Sequence, residues 1–294
     1  MGTGLAYTKL ESKGDREAYQ LQTDQGDFVV KITESSKSLK EVIKDVYILE
    51  YLEKFKFNSP LIIRSNSGET FIKINDRYLY LMDFITGQKP TLNNNLFERL
   101  GILLAQFHLI PVNNYPYIST YNPIYELPLL KNNLLEITEN SEIKSQLLSD
   151  ISNFQSFDTL PKSLIHTDIH SANLIDKNGE LFLIDLDDAG TSQSIIDVGY
   201  VIGHMCTFGK NDQLKFGIVS DKDVVWNKEW VITFLKSYNS TRQLLPEELN
   251  LLHYATQFAL LSYVYDWENH TIDEANYQRY TCIKNEWNDL EKLI

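Results

Sequence analysis

The chain has 294 residues, 43% of them apolar, enough for one large or two ordinary globular domains with a substantial core. Its 40 acidic against 27 basic residues give a formal net charge of −13, which argues against binding along a nucleic-acid phosphate backbone as the main activity and suits a neutral or cationic small partner. Cys206 and Cys282 are too few for a disulfide framework and lack CxxC spacing, no apolar run reaches the ~20 residues of a bilayer span, and the opening residues lack a basic-then-apolar leader; the expectation is a cytoplasmic protein with two buried thiols and no membrane partner.

In chain order, the first portion reads as strands. Residues 19–23 and 28–32 are β-prone runs on either side of Asp24-Gln25-Gly26-Asp27, where Gly26 supplies freedom for positive φ. Residues 38–55 then set Leu39, Val42, Ile43, Val46, Leu49 and Leu52 at a 3.6-residue period, an amphipathic helix with Ser35, Ser36 or Ser38 as its cap. Two more strands are expected, one at 61–64 or at 70–74 and one at 78–84, with Asn75-Asp76 turning into the latter. Residues 1–86 thus make a small sheet with one helix.

Beyond Thr86-Gly87-Gln88-Lys89-Pro90 the period changes. Leu96, Leu100, Leu103, Leu104 and Phe107 form a helical stripe capped from the asparagines at 93–95, residues 143–154 form another, and after residue 192 the periodic stretches are helical. Residues 87–294 are expected as a helical domain with one hairpin set into it. That hairpin has the strongest local signal in the chain: Asn173-Leu174-Ile175 and Leu181-Phe182-Leu183-Ile184 flank Asp176-Lys177-Asn178-Gly179, an Asn-Gly turn between apolar runs. Strands joined there leave their other ends side by side, so Asn173 and Asp185 share one open edge. Asp168, five residues upstream, is near enough to face them.

Taken singly, each of these residues has an ordinary reading. Asp168 is a loop carboxylate, Asn173 a turn former, Lys31 a strand lysine in solvent. His166 and His170 are four apart, yet the segment reads as strand then loop and lacks the Glu of H-E-x-x-H, which argues against zinc. The conjunction is more specific. His166-Thr167-Asp168, Asn173 and Ile184-Asp185 resemble the H-x-D-x-x-x-x-N loop and metal-binding Asp of the aminoglycoside phosphotransferase and choline kinase family, relatives of protein kinases. Lys31 in Phe28-Val29-Val30-Lys31-Ile32, a hinge-like stretch at 81–87, a helix at 100–108 and Ile196-Asp197-Val198-Gly199 resemble further landmarks in family order.

The resemblance implies a bilobal α+β fold, protein-kinase-like, with a small antiparallel-sheet N-lobe at 1–86 carrying one main helix and a larger, mostly helical C-lobe at 87–294 holding the catalytic loop, metal site and substrate pocket. It implies transfer of the γ-phosphate of ATP or GTP, with Mg²⁺, to the hydroxyl of a small-molecule acceptor. Asp168 takes the catalytic role, Asn173 and Asp185 supply hard oxygens to the metal, Lys31 meets the α and β phosphates, and Met82, Asp83 and Ile85 belong to the nucleotide hinge. Asp187 reads equally as an aid to a second metal or as a solvated acidic turn. His166 reads as loop scaffolding.

Three positions depart from the pattern. Thr167 stands where the family has Gly, putting a β-branched side chain into a demanding loop. The helix partner of the lysine, usually Glu, falls on Asp45, one methylene shorter, with Glu41 a turn earlier as the alternative. The phosphate-covering loop, near Ser12-Lys13-Gly14-Asp15-Arg16, has a single glycine. For the acceptor, Asp266, Glu268 and Asp273 among the aromatics at 265–267 suggest a cation site, with a polar helix end as the plain alternative. Aminoglycoside-type acceptors come first, with choline or another amino alcohol, a sugar and a macrolide as alternatives, and a nucleotide-binding module with weak or no turnover as the competing class. Monomer and dimer both remain open.

Overall fold

Residues 4–10, 15–138, 141–209, 224–266 and 269–291 are described by a computed structural model of the chain. Near the start, β1 (Gly4–Leu10), β2 (Glu17–Thr23) and β3 (Gly26–Ile32) run antiparallel, with Gly26 at φ +123° making the turn its lack of Cβ permits. The helix α1 (Leu39–Lys54) follows, then β4 (Ile62–Ile63), β5 (Phe71–Ile74) and β6 (Arg77–Asp83). Strand order is β1-β2-β3-β6-β4, with β5 also paired to β6. Both alternatives for the third strand therefore form, and β1 adds an edge that the sequence reading lacks, because GLAYTKL shows no clean alternation.

Ser38 is the cap of α1. Its Oγ accepts from Glu41 N at 3.4 Å while Glu41 Oε2 accepts from Ser38 N at 2.7 Å, a reciprocal capping box. Of the predicted stripe, Leu39 and Ile43 are exposed, and Ile48 and Tyr51 complete the buried face with Val42, Val46, Leu49 and Leu52.

The chain continues through α2 (Asn94–Leu109), α3 (Pro123–Glu136), α4 (Ser141–Ser152), β7 (Lys162–Ile165), β8 (Leu174–Lys177), β9 (Glu180–Leu183), β10 (Gly190–Gln193) and α5 (Ile195–Tyr200). A π-helical turn, Val201–Met205, extends α5. Then come β11 (Thr207–Gly209), β12 (Val224–Trp226), α6 (Lys228–Thr241), α7 (Pro246–Val264), β13 (Tyr265–Asp266), β14 (Thr271–Ile272) and α8 (Glu274–Glu291). Two compact units result: Met1–Lys89 with Leu174–Asp188, and Pro90–Asn173 with Ala189–Ile294.

The hairpin β8–β9 forms in the register the Asn-Gly turn dictates, Leu174 opposite Leu183, with Asn178 at φ +56° and Gly179 at φ +88°. Its place differs from the expectation that it sits in the helical part, because its backbone bonds run to the sheet unit. Gln88 N donates to Asp176 O at 2.9 Å and Asp176 N to Gln88 O at 2.8 Å, while Leu183 N donates to Asn58 O at 2.9 Å. A Cβ on Gly87 would lie 2.5 Å from Asp176 O, so this approach requires glycine.

In the second unit Asn93 caps α2, its side chain accepting from Leu96 N at 2.9 Å. Besides the expected helices it holds the antiparallel pairs β7–β10, β11–β12 and β13–β14. Strands of two to four residues leave no legible alternation, so residues after 192 read as purely helical from sequence alone. Cys206 is buried and Cys282 only partly so, and both are free. Among the described residues no helix is long and apolar enough to cross a membrane.

Helices α5 and α7 meet where Gly199 faces Ala255, and a Cβ there would lie 2.4 Å from Ala255 C, a backbone atom that cannot yield. Gly199→Ala is expected to lower the unfolding free energy by about 2–3 kcal/mol, read as a fall in melting temperature of several degrees.

Candidate active site

Lys31 sits on β3 opposite Tyr80 of β6, half-buried. Its Nζ donates to Asp185 Oδ1 at 2.8 Å and to Asp187 Oδ1 and Oδ2 at 2.7 and 2.8 Å. Burial alone would lower the lysine pKa, but Asp187, Tyr80 and Asp185 outweigh it and hold the ammonium well above its ordinary range. Asp187, which reads equally as metal aid or solvated turn from sequence, is the closest partner of Lys31. Burial disfavours its charge, yet Lys31 and Lys37 bring its pKa down to about 2.

The expected pair between Lys31 and Asp45 is not formed. Asp45, 3% exposed, is instead ion-paired with Lys37, and Glu41 is spent on the cap of α1. The shorter aspartate side chain meets the nearer lysine at the helix entrance. Burial first, then the charge of Asp187, push the Asp45 pKa up to about 7 against the pull of Lys37. Met82 and Asp83 end β6, and Ile85 lies buried two residues on. The Asp83 carboxylate accepts from Leu61 N at 2.5 Å, so it braces the strand end. Of the phosphate-covering loop, residues 11–14 lie outside the described residues; Asp15 accepts from Ser35 Oγ at 2.8 Å.

In the second unit the loop after β7 is held by a buried acid. Asp197, in the first turn of α5, accepts from His166 N at 2.7 Å, Thr167 N at 2.9 Å and His108 Nε2 at 3.2 Å. A carboxylate only accepts, so His108 carries its proton on Nε2, and its Nδ1 accepts from Tyr238 OH at 2.7 Å. Burial keeps His108 below its ordinary pKa although Asp197 favours the charge. Thr167 takes φ +72°, the left-handed conformation for which glycine is the natural residue.

Asp168 follows. Its Oδ1 accepts from Tyr200 OH at 2.9 Å, and its Oδ2 from Asn173 Nδ2 at 3.2 Å, with His170 Nε2 at 3.3 Å. Burial would raise its pKa, but His170 and Tyr200 bring it down to about 2, so it is ionised at neutral pH. The His166 ring accepts from Asp168 N at 3.2 Å, the loop-bracing part its position suggests. His170 and Tyr200 have no signal in sequence for this contact: the spacing of His170 from His166 raises only zinc, and Tyr200 lies 32 residues beyond Asp168. Asp197 lies in a motif that sequence picks out without a role.

For a metal, the donor chemistry fits in each unit. Asn173 is 6% exposed with its Nδ2 turned to Asp168 O at 2.9 Å, which leaves Oδ1 uncommitted to that residue. Asp185, exposed at φ +60°, spends Oδ1 on Lys31. An amide oxygen and a carboxylate oxygen are the hard donors that Mg²⁺ takes beside phosphate oxygens and water. The acidic cluster expected to meet the acceptor is differently employed: Asp266 Oδ2 accepts from Asn269 Nδ2 at 2.7 Å in the β13–β14 turn, Asp273 Oδ1 accepts from Asn276 N at 2.8 Å at the start of α8, and Glu268 lies outside the described residues.

A strand lysine set between acids, and a loop carrying His166, Asp168 and Asn173 braced from a helix start, define a protein-kinase-like phosphotransferase. The chain belongs to the phosphotransferase enzyme family (APH), whose sequence profile matches residues 6–217. It is 24% identical to a homoserine kinase of Gluconobacter oxydans (strain 621H), over 93% of this chain and 86% of that protein. In fold it is similar to an amicoumacin kinase in complex with AMP-PNP, Ca²⁺ and Ami (TM-score 0.67, 17% identity, 98% of this chain and 92% of that one). A choline kinase from Cryptosporidium parvum Iowa II is similar as well (TM-score 0.63, 13% identity, 98% and 90%). The enzyme therefore transfers phosphate to a hydroxyl of a small molecule.

Two measurements check this electrostatic and backbone account. Thr167→Gly is expected to exceed Thr167→Ala in unfolding free energy by about 1 kcal/mol, since both lose the side chain and only alanine keeps the left-handed cost. Asp45 has its pKa raised from 3.8 to about 7, so its stabilising protonated state is intact below about pH 4 and its contribution drains away as pH rises toward 7. Asp45→Asn cannot ionise, so its melting temperature relative to wild type should climb between about pH 4 and pH 8, by an amount on the order of 2 kcal/mol in stability.

Proposed function

We propose that this enzyme transfers the γ-phosphate of ATP (or GTP), with Mg²⁺, to the hydroxyl of a small amino-bearing acceptor, a hydroxy amino acid of the homoserine type before an aminoglycoside. The observation that carries the chemistry is the state of Asp168: ionised, fixed through both carboxylate oxygens, and braced by Asn173. A carboxylate with a pKa of about 2 is a weak base. Its work is to accept a hydrogen bond from the acceptor hydroxyl and aim the oxygen, taking the proton only once the new P–O bond has acidified it, which suits a loose transition state.

Lys31 offers a compact cation that phosphate oxygens can share with Asp185 and Asp187. Asn173 and Asp185 would hold the metal, which when bound neutralises charge on the β and γ phosphates. The acceptor reading moves away from aminoglycosides because relatives that span almost the whole chain, at 22–24% identity, are named homoserine kinase. A cationic nitrogen is common to homoserine, choline-like alcohols and aminoglycosides, so the acidic total of the chain is compatible with all three.

ADP formation from ATP and GTP across L-homoserine, L-serine, choline, a simple sugar, kanamycin and a macrolide tests the assignment. L-homoserine is expected to give the highest kcat/KM, and a macrolide or kanamycin in first place would overturn the acceptor reading. Asp168→Asn is expected to lower kcat by about 10²–10⁴ with nucleotide affinity kept. Asp185→Asn should abolish Mg²⁺-dependent nucleotide binding, and unchanged affinity there would remove it from the metal site.

A further inference from the structure

Arg279 of α8 is 2% exposed, yet no carboxylate among the described residues lies within ion-pair distance of it. Its Nε has no hydrogen-bond partner, and Nη1 meets only His204 Nδ1 at 3.3 Å and Asn276 Oδ1 at 3.4 Å. His204 brings no countercharge. Its Nε2 lies 2.9 Å from Ala259 O, an atom that only accepts, so Nε2 carries the proton and Nδ1 accepts from Arg279. Burial, then the charge of Arg279, hold the His204 pKa down to about 3, so the ring is neutral at any working pH.

A guanidinium taken out of water and met only by neutral acceptors is costly, and an apolar side chain of similar length would fill the same space without that cost. The acid whose charge does act on it, Asp273, spends Oδ1 on the first turn of α8. Burial leaves the Arg279 pKa at about 10, low for this group, although Tyr200 and Asp273 oppose the shift. The cation is thus short of an anion.

Its position gives that shortage a meaning. The His204 ring packs on Tyr200 at 4.4 Å and on Tyr263 at 4.7 Å between ring centroids. Tyr200 OH donates to Asp168 Oδ1 at 2.9 Å and lies 3.1 Å from Tyr263 OH. Tyr263 is 41% exposed, so this cluster reaches the surface of the second unit. Asp168 and Arg279 are therefore joined through one small aromatic cluster, Asp168 touching Tyr200 and Arg279 touching His204, an acid that suits a hydroxyl and a cation that suits a carboxylate. The π-helical turn that carries His204 is a feature often met at functional sites.

We propose that Arg279 is the anchor for a carboxylate on the acceptor, with the Tyr200–His204–Tyr263 cluster as the spacer between that carboxylate and the hydroxyl addressed by Asp168. The proposal rests on the reading of the acceptor as a hydroxy amino acid and specifies which end of it the second unit recognises. A small molecule with a hydroxyl and a carboxylate several bonds apart satisfies both groups at once, whereas an amino alcohol leaves Arg279 unmet.

Calorimetric titration of the full chain, apart from turnover, tests it. L-homoserine and its carboxylate-free counterpart homoserinol are titrated into wild type, Arg279→Met and Arg279→Lys, each with a non-hydrolysable ATP analogue bound. Wild type is expected to prefer L-homoserine by about tenfold or more, the worth of a charge-assisted hydrogen bond pair. Arg279→Met should lose the preference, and Arg279→Lys, which keeps charge but not the planar fork, should lose most of it. Nucleotide affinity unchanged in both variants would certify that they fold.

The anchor is overturned if wild type shows no preference, if both variants keep it, or if inorganic phosphate displaces L-homoserine equally well in wild type and Arg279→Met. Equal loss of kcat with L-homoserine and homoserinol in the variants, at unchanged KM ratio, would also overturn it in favour of a positioning role. If instead L-homoserine binds through Arg279 while only choline or kanamycin is phosphorylated, the anchor stands and the acceptor reading falls.

Discussion

Asp197 has no exposed surface, and it takes hydrogen bonds from two successive backbone N–H groups of the loop, those of His166 and Thr167, together with the His108 ring. The position of Asp168 depends on this acceptor. A buried N–H without a partner costs roughly 1–3 kcal/mol, so two of them facing one carboxylate dictate how the chain leaves β7. That exit forces Thr167 to φ +72°, and the next residue, Asp168, is delivered to Tyr200 and His170. The strain at one residue and the orientation of the next have the same cause. His108, kept neutral and fixed by Tyr238, donates to the same carboxylate oxygen, Oδ2, that accepts from His166 N.

In the first unit, the ordering principle is charge balance among Lys31, Lys37, Asp45, Asp185 and Asp187. Two cations and three acids in a partly buried space cannot all be ionised without one acid going short. Asp45 goes short: burial and the charge of Asp187 raise its pKa against Lys37 and Lys31, whereas for Asp187, which Lys31 meets directly, the two lysines outweigh burial and lower it. The opposite pKa directions of the two acids follow from their partners, since desolvation pushes both upward. The usual helix-to-strand ion pair of kinase-like folds is thereby replaced by a contact between Lys31 and the acids that follow β9.

Much of this was legible in the sequence where the signal is local and periodic. The Asn-Gly hairpin, the capping serine of α1, the cap of α2 and the two-part division from sheet to helices all follow from turn chemistry and spacing. Asp168 and Asn173 are legible as a pattern, and the structure brings them within 3.2 Å of each other in one unit. What lay hidden depends on contacts between residues distant in sequence. No period links His170 or Tyr200 to Asp168, nor Lys37 to Asp45 in preference to Lys31. The short pairs β11–β12 and β13–β14 are too brief to alternate, and β1 is an edge strand with Tyr7 mostly in water. The acidic cluster near the C-terminal end shows the reverse: Asp266 and Asp273 look like free charges in a string of letters, and turn geometry also uses them.

The sheet unit is written in two separate stretches of the chain. Its hairpin, zipped to Gln88 and Asn58 by backbone bonds, is encoded only after 84 residues of the other unit, from 90 to 173, have passed. During synthesis the six-stranded sheet, complete at Asp83, must therefore wait for the hairpin that completes its unit while the first helices downstream emerge. Neither unit is a self-contained segment, and excision at residue 89 would leave Gly87 and Gln88 facing water where a strand belongs. The order in which the ribosome releases the chain thus ties completion of the unit that bears Lys31 to release of the loop that bears Asp168.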